Sequence, residues 1–159
     1  INKKTGMTPA KWDSYYKFCF VRNPYDRIVS AWFHVNRFQI PFPNFLRLSN
    51  VCNDVEYMHL FMPQHRSMVN ERGKTHIDYI GKFENLQEDL HKILENIGVT
   101  KFIHNPEDKL NVRKHNPFYD YYDQETLEKV NDIMKEDFQY LPYPKIETIE
   151  EFQEKYSDT

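Results

Sequence analysis

The sequence predicts an α/β domain built on a mostly parallel sheet flanked by helices. Two observations support this fold class. Residues 17–33 pass from a run of aromatic and β-branched side chains through a tight turn into an amphipathic helix, and the same order recurs over residues 77–98. Repeated strand–helix units are typical of parallel sheets that bind ligands at the carboxyl ends of their strands.

Length and charge limit the organisation and the partners. The chain has 159 residues, of which 40% are hydrophobic, and it contains no low-complexity tract. A single domain over residues 1–159 is therefore expected. The net charge is −3, so the protein lacks the basic field that drives nucleic-acid binding, and no nucleic-acid partner is expected.

Cysteine and histidine spacing gives no sign of a metal or a disulfide framework. The two cysteines, Cys19 and Cys52, lie far apart, and His59, His65 and His76 lack the spacing of zinc ligands. Cys19 is expected to be a buried thiol. No apolar run is long enough to cross a membrane. The absence of an N-x-Ser/Thr sequon favours the cytoplasm, whereas a membrane anchor upstream would indicate the Golgi lumen.

The first elements of the chain carry clear start signals. Thr8 and Pro9 suit the N-cap and first residue of a short helical turn, which leads into a buried strand at residues 17–21. The strand should be covered on both faces. Asn23 is a good N-cap for the following helix, Pro24 fits its first position, and Asp26 sits where a capping-box acid belongs.

The junction between this strand and this helix is suited to a phosphate. Arg22 ends the strand, and Ser30 lies two turns along the helix. A helix N-terminus offers unpaired N–H groups and a positive dipole end, while a guanidinium matches phosphate oxygens. Alternatively, Arg22 pairs with Asp26 and Ser30 bonds back to a helix carbonyl. The spacing alone leaves both interpretations open.

The middle of the chain is less regular. Residues 36–53 contain Pro41 and Pro43 among aromatics, which predicts an irregular connection with one helical turn. Asp54 is predicted to cap a largely apolar helix that ends at Pro63. Its aromatic and methionine side chains are more typical of a core than of a pocket.

The second strand–helix unit is predicted at residues 77–98. Residues 77–83 form the strand, Asn85 caps the helix, Glu88 completes a capping box and Gly98 ends the helix. Lys82, near the end of this strand, could face the phosphate junction at Arg22.

The C-terminal third adds two helices. Residues 100–122 contain a cluster of positive side chains, and composition alone indicates that this cluster forms a solvent-exposed face. Asp123 is predicted to cap a helix that continues through Phe138 and ends before Pro142. Residues 148–156 have the pattern of a final amphipathic helix.

Three segments resemble one enzyme family. The sequence FVRNPYDRIVSAWF, residues 20–33, resembles the 3′-phosphate-binding motif of sulfotransferases that use 3′-phosphoadenosine 5′-phosphosulfate (PAPS), especially those that modify carbohydrates. DYIGKFENL, residues 78–86, is similar to a phrase at the same place in that family. The segment KLNVRKHNPFYDYYDQETLEKV, residues 109–130, is similar to the family's nucleotide-contacting loop and last large helix.

The resemblance implies a fold, a reaction and specific contacts. The fold would be P-loop-NTPase-like, as in sulfotransferases. Arg22 and Ser30 would hold the 3′-phosphate of PAPS, and Arg113 and Lys114 would be further donor contacts. A sulfuryl group would pass to a hydroxyl or amine of a carbohydrate or small-molecule acceptor without a metal. The family's 5′-phosphosulfate loop has no counterpart before Lys17, so the chain as given is expected to be N-terminally truncated, and no catalytic residue is identified.

Two other functions follow from the same sequence. A non-catalytic nucleotide- or partner-binding module would keep the fold and lose the chemistry, as the missing 5′-loop would allow. A P-loop kinase or nucleotide hydrolase would need a GxxxxGK[ST] loop, which the sequence lacks.

Overall fold

Two parallel strands and the helices packed around them form the framework of the computed structural model, which describes residues 6–35, 39–50, 59–70, 73–99 and 116–157. In chain order these elements are α1 Pro9–Ser14, β1 Phe18–Val21, α2 Pro24–Val35, α3 Phe42–Arg47, β2 Tyr79–Lys82, α4 Leu86–Asn96, α5 Gln124–Ile133, α6 Lys135–Tyr140 and α7 Ile149–Ser157. Short 3₁₀ turns lie at Leu48–Asn50, Gln64–Ser67, Phe83–Asn85 and Phe118–Tyr121. The predicted helix that starts at Asp54 lies mostly outside the described residues.

The two strands pair in parallel, as the sequence predicts. Phe18 pairs with Tyr79 and Val21 with Lys82, so both strands end at the same edge of the sheet. The predicted cover on both faces is only partial, since Phe18 is 44% exposed and Ile80 is 38% exposed. The apolar sequence of a strand predicts that the strand is buried. Which half of it is covered depends on where the helices pack. Here the carboxyl half is the covered one, and Val21 is buried.

The N-terminal caps form, with one exception. Thr8 Oγ1 accepts from Lys11 N–H, and Asn23 Oδ1 accepts from Tyr25 N–H at 3.0 Å, so both predicted N-caps are confirmed. The predicted capping box at Asp26 is wrong. Asn23 N–H donates to the Glu84 carboxylate at 2.6 Å instead, because the adjacent strand end brings that side chain to the start of α2.

The C-terminal ends and caps differ in detail from the sequence prediction. Gly98 adopts φ +76°, and Val99 N–H bonds to Leu94 C=O, which confirms the predicted stop. Asn85 makes no side-chain cap for α4, because a 3₁₀ turn over Phe83–Asn85 precedes the helix. The helix capped by Asp123 is interrupted at Met134, so α5 and α6 replace the single predicted helix.

The main core joins α2 to the C-terminal half of the chain. Apolar positions at helical spacing place one face of α2 against α3, α5 and α7. The buried members of this cluster include Tyr25, Ile28, Val29, Phe45, Leu46, Leu127, Val130, Met134, Ile146 and Phe152. A smaller cluster packs the end of β1 against the C-terminal segment through Val21, Met68, Leu141 and Tyr143. The opposite, polar face of α2 is therefore left for the site.

Cys19 packs against this smaller cluster as a half-buried thiol. Its Sγ lies 3.2 Å from Met68 Sδ, and burial raises the pKa of the thiol. The predicted buried thiol is thus partly covered, while Cys52 lies outside the described residues.

Gly81 is needed for close packing between the strands and α4. A Cβ atom at this position would lie 2.6 Å from a ring carbon of Phe20 and 3.2 Å from Asp89 Cβ. We expect Gly81→Ala to lower the free energy of unfolding by about 1–3 kcal/mol, because the overlap forces the ring aside. Urea denaturation measures the loss. In a Phe20→Leu background the same substitution should cost clearly less, and equal costs in both backgrounds would contradict the packing.

Asp89 ties α4 to the end of β2. Its carboxylate accepts from Lys82 N–H at 2.7 Å, Tyr79 O–H at 2.9 Å and Lys92 Nζ at 3.0 Å. The backbone hydrogen bond from Lys82 is the main cause that lowers the pKa of Asp89, and the Lys92 and Tyr79 hydrogen bonds lower it further.

The depressed pKa makes the contribution of Asp89 to stability dependent on pH. A carboxyl group whose pKa is lower in the folded state stabilises that state at pH values above its unfolded pKa of about 3.9. This stabilisation is lost as the pH falls through the folded pKa. Asp89→Asn should therefore lower the free energy of unfolding by about 1–3 kcal/mol at pH 7, and by less in acid. Urea denaturation at pH 7 and pH 3 tests this, with the exposed Asp132→Asn as control. A loss that is the same at both pH values would refute the assignment.

Candidate functional site

The carboxyl ends of β1 and β2 lie side by side. Because Val21 pairs with Lys82, Arg22 and Phe83 follow their strands at the same edge of the sheet. The N-terminus of α2 begins at this edge with Pro24. Parallel sheets bind ligands at such edges, and helix N-termini attract anions. This strand–helix junction is therefore the candidate site.

Arg22 is held on two sides. Its Nε donates to Asp26 Oδ2 at 2.5 Å, and its guanidinium carbon lies 4.8 Å from the centre of the Phe83 ring. The Arg22 side chain is 25% exposed and that of Asp26 18% exposed. Within the described residues the two Nη groups of Arg22 make no hydrogen bond. The residue thus keeps unpaired donors at a partly open position.

Ser30 lies on the same face of α2 as Asp26, since the two are four residues apart. The serine is half-buried, and its hydroxyl makes no hydrogen bond with any part of the chain that the structure describes. Of the alternative interpretation, the Arg22–Asp26 pair is observed, whereas the bond from Ser30 to a helix carbonyl is not. Ser30 therefore keeps a donor for a ligand.

Gln64 fixes the backbone of Arg22. Its side-chain oxygen accepts from Arg22 N–H at 3.0 Å, and its Nε2 donates to Arg22 C=O at 2.9 Å and to Asp137 Oδ2 at 3.2 Å. Asp137 is fully buried and also accepts from His65 N–H. The 3₁₀ turn at Gln64–Ser67 and α6 thereby hold the end of β1 in place.

Glu84 connects the strand ends to the C-terminal segment. Its carboxylate accepts from Asn23 N–H at 2.6 Å and from Tyr143 O–H at 2.7 Å. Burial is the main cause that raises the pKa of Tyr143, and the Glu84 carboxylate raises it further. Lys82 lies beside this group, with Nζ 5.3 Å from the centre of the Tyr143 ring.

Sequence reasoning did not assign Gln64, Glu84 or Tyr143 to the site. Gln64 is 42 residues from Arg22, and Glu84 is 61 residues from Asn23. Only their positions in the sequence could have pointed to the site: Gln64 follows Pro63 at a predicted helix end, and Glu84 follows a predicted strand. Neither position identifies a partner.

Two of the predicted donor contacts, Arg113 and Lys114, lie outside the described residues. His65 is buried and stacks on Tyr140, with Nδ1 3.5 Å from Asp137 Oδ1 and Nε2 3.6 Å from Glu136 Oε2. These contacts are with α6, and among the described residues Nδ1 of His65 is buried without a hydrogen-bond partner.

The described part of the chain has neither a metal-binding cluster nor a helix that could span a membrane. Within it, no three His, Cys, Asp or Glu side chains cluster in a way that could hold a metal ion. No helix among the described residues has the length and apolar character needed to span a membrane.

Together, the parallel strand ends, the capped helix and the partly unpaired Arg22 define an α/β protein with a candidate site at a strand–helix junction. The model of the sulfotransferase family matches residues 2–144, so the chain belongs to that family. This membership indicates a transferase.

A second comparison finds a related protein. An uncharacterised protein of Archaeoglobus fulgidus is 35% identical over 88 residues, which cover 55% of this chain and 72% of that protein. No solved structure matches the chain.

Gln64 offers a test of the geometry at the end of β1. In Gln64→Glu a carboxylate oxygen would replace the N–H donor that faces Arg22 C=O and the buried Asp137. We expect a larger loss in the free energy of unfolding than the loss of about 1–3 kcal/mol for Gln64→Ala, because the new charge is unpaired and repelled. Urea denaturation at pH 7 compares the variants.

Gln124 provides the matched control for this test. Its half-buried amide also contacts backbone groups on two sides, through Ile149 N–H and Glu147 C=O, but the carboxylate beside it, Glu128, is exposed, whereas Asp137 is fully buried. Gln124→Glu should cost less than Gln64→Glu. If Gln64→Glu were as stable as the wild type, the described amide bridge would be wrong.

Proposed function

We propose that this chain binds the 3′-phosphate of PAPS with Arg22 and Ser30 and transfers the sulfuryl group to a hydroxyl or amine. The carbohydrate or small-molecule class of the acceptor is part of the proposal. One observation carries it: at the sheet edge where α2 begins, Arg22 keeps its two Nη groups unpaired, in a segment that resembles the 3′-phosphate motif of sulfotransferases and lies within the family match.

Three physical terms favour a phosphate at this position. The guanidinium supplies charge-assisted hydrogen bonds from its Nη groups. The Ser30 hydroxyl, two turns along the same face of α2, adds a neutral donor. The positive end of the α2 dipole lies beside Arg22, which precedes the helix by two residues. A phosphate bound there would fix the donor nucleotide against the sheet edge.

The proposed chemistry is an in-line displacement at sulfur. The acceptor oxygen or nitrogen forms a bond to sulfur as the bond between sulfur and the 5′-phosphate oxygen breaks, which releases adenosine 3′,5′-bisphosphate. The acceptor proton passes to a base that the described residues do not identify. Such transfers depend on positioning and on stabilising the leaving phosphate. A sulfuryl group carries less charge than a phosphoryl group, so no metal is proposed.

Other parts of the proposal rest on the family resemblance. Arg113 and Lys114 are proposed as additional contacts to the nucleotide. A P-loop-NTPase-like sheet, of which β1 and β2 are two strands, is the proposed full architecture. Both proposals concern more of the molecule than the described residues.

A non-catalytic binding module is the second candidate. One observation favours it: Asp26 pairs with Arg22, and Glu84 accepts the Asn23 N–H. A site whose partners are internal could be retained for structure alone.

Binding of adenosine 3′,5′-bisphosphate tests the donor site without an acceptor. We expect a micromolar dissociation constant for the wild type by isothermal titration calorimetry. Arg22→Ala should weaken binding at least tenfold, because a hydrogen bond to a charged group contributes about 1.5–3 kcal/mol. Ser30→Ala should weaken it by a smaller factor, since its hydroxyl is neutral.

Arg47→Ala is the matched control. Arg47 is 70% exposed and pairs loosely with Glu125 on α5, so its loss changes the net charge equally and leaves the site intact. Affinity that is unchanged in Arg22→Ala would reject the assigned site. If the bisphosphate binds but no product forms from PAPS with any hydroxyl or amine acceptor tested, the binding module is favoured.

A further inference from the structure

A carboxylate lies between the two proposed phosphate ligands. Asp26 and Ser30 lie four residues apart on one face of α2, and Arg22 lies two residues before the helix begins. Asp26 Oδ2 accepts from Arg22 Nε at 2.5 Å, and within the described residues this is the only hydrogen bond of the Asp26 side chain. A negative charge at this place is unexpected for an anion site and requires a role.

The guanidinium of Arg22 uses only some of its donors in contacts within the described residues. Asp26 occupies the Nε edge, and the Phe83 ring lies under one face at 4.8 Å. The Nη groups remain, and guanidinium has five N–H donors, of which the ion pair uses one. An incoming phosphate can therefore bind the Nη groups while Asp26 stays in place. The carboxylate and the phosphate would then share one cation.

We infer that Asp26 is a resident counter-ion that lowers the affinity of the anion site for any phosphate, an inference that rests on the proposed function. The ion pair holds Arg22 in a fixed orientation, which lowers the entropic cost of binding. It also cancels most of the charge that would attract a free anion, and its carboxylate repels the phosphate. Inorganic phosphate depends on that charge alone, whereas a nucleotide gains further contacts. The weakened site therefore holds a phosphate firmly only when the rest of the ligand makes further contacts.

Asp26→Asn separates charge from position. Asparagine is nearly isosteric, and its side-chain oxygen can still accept from Arg22 Nε. We expect this variant to bind adenosine 3′,5′-bisphosphate about tenfold more tightly, which corresponds to about 1.4 kcal/mol. Inorganic phosphate should gain by a similar factor. Adenosine 5′-monophosphate, which lacks the 3′-phosphate, should bind within twofold of its wild-type affinity.

Isothermal titration calorimetry at two salt concentrations gives the required readout. The gain for the bisphosphate should shrink as salt rises, because screening weakens the repulsion that Asp26 exerts. A purely structural role for Asp26 would not produce a change that depends on salt and on the 3′-phosphate. Melting temperatures confirm that each variant is folded.

Two further variants control the experiment. Asp132→Asn, on the exposed side of α5, raises the net charge by the same amount away from the site and should leave affinity unchanged. Asp26→Ala removes both the charge and the acceptor, so its affinity should fall between those of the wild type and Asp26→Asn. If Asp26→Ala binds as tightly as Asp26→Asn, the orienting role is wrong.

The outcomes distinguish the inference from the function on which it rests. If the wild type binds the bisphosphate and Asp26→Asn binds it no more tightly, the counter-ion role is overturned and the donor site stands. If neither folded protein binds the bisphosphate, both are overturned. If Asp26→Asn binds clearly where the wild type binds weakly, both are supported.

Discussion

The burial of Tyr25 is the constraint on which the position of the site depends. Its ring is fully buried among Tyr122, Phe138 and Phe152, and its hydroxyl donates to Asn131 and accepts from Ile146 N–H. Burial is the main cause that raises its pKa, so the hydroxyl stays a neutral donor at physiological pH. Since Tyr25 is the second residue of α2, these contacts fix the start of that helix against the C-terminal half.

With that end of α2 fixed, distant segments supply the polar groups around Arg22. Gln64 holds its backbone, and Glu84 holds the neighbouring N–H of Asn23 while it accepts from Tyr143. These contacts satisfy backbone groups at the end of β1 that would otherwise lie unpaired. The guanidinium of Arg22 is the part of the junction that keeps spare donors, which is why it is the centre of the proposed function.

Elements defined by local signals were predicted well. The caps at Thr8, Asn23 and Asp123 and the glycine stop at Gly98 are all present, because each depends on residues within one turn of it. The predicted capping box at Asp26 failed because a distant residue bonds the same group. Asp26 does not close a capping box, since Glu84 reaches the Asn23 N–H first and Arg22 is a charged partner for Asp26.

The sequence by itself determined the two strand–helix units, the place of Arg22 and Ser30 at the first strand–helix junction, and the family. These depend on periodicity, capping and motif spacing, which are properties of neighbouring residues. Only the tertiary structure decided that Asp26 pairs with Arg22 while Ser30 keeps its donor, and that Gln64, Phe83 and Glu84 surround the junction. The physical reason is that hydrogen bonds and ion pairs go to whichever partner the folded chain brings within about 3 Å, and sequence spacing does not give that distance.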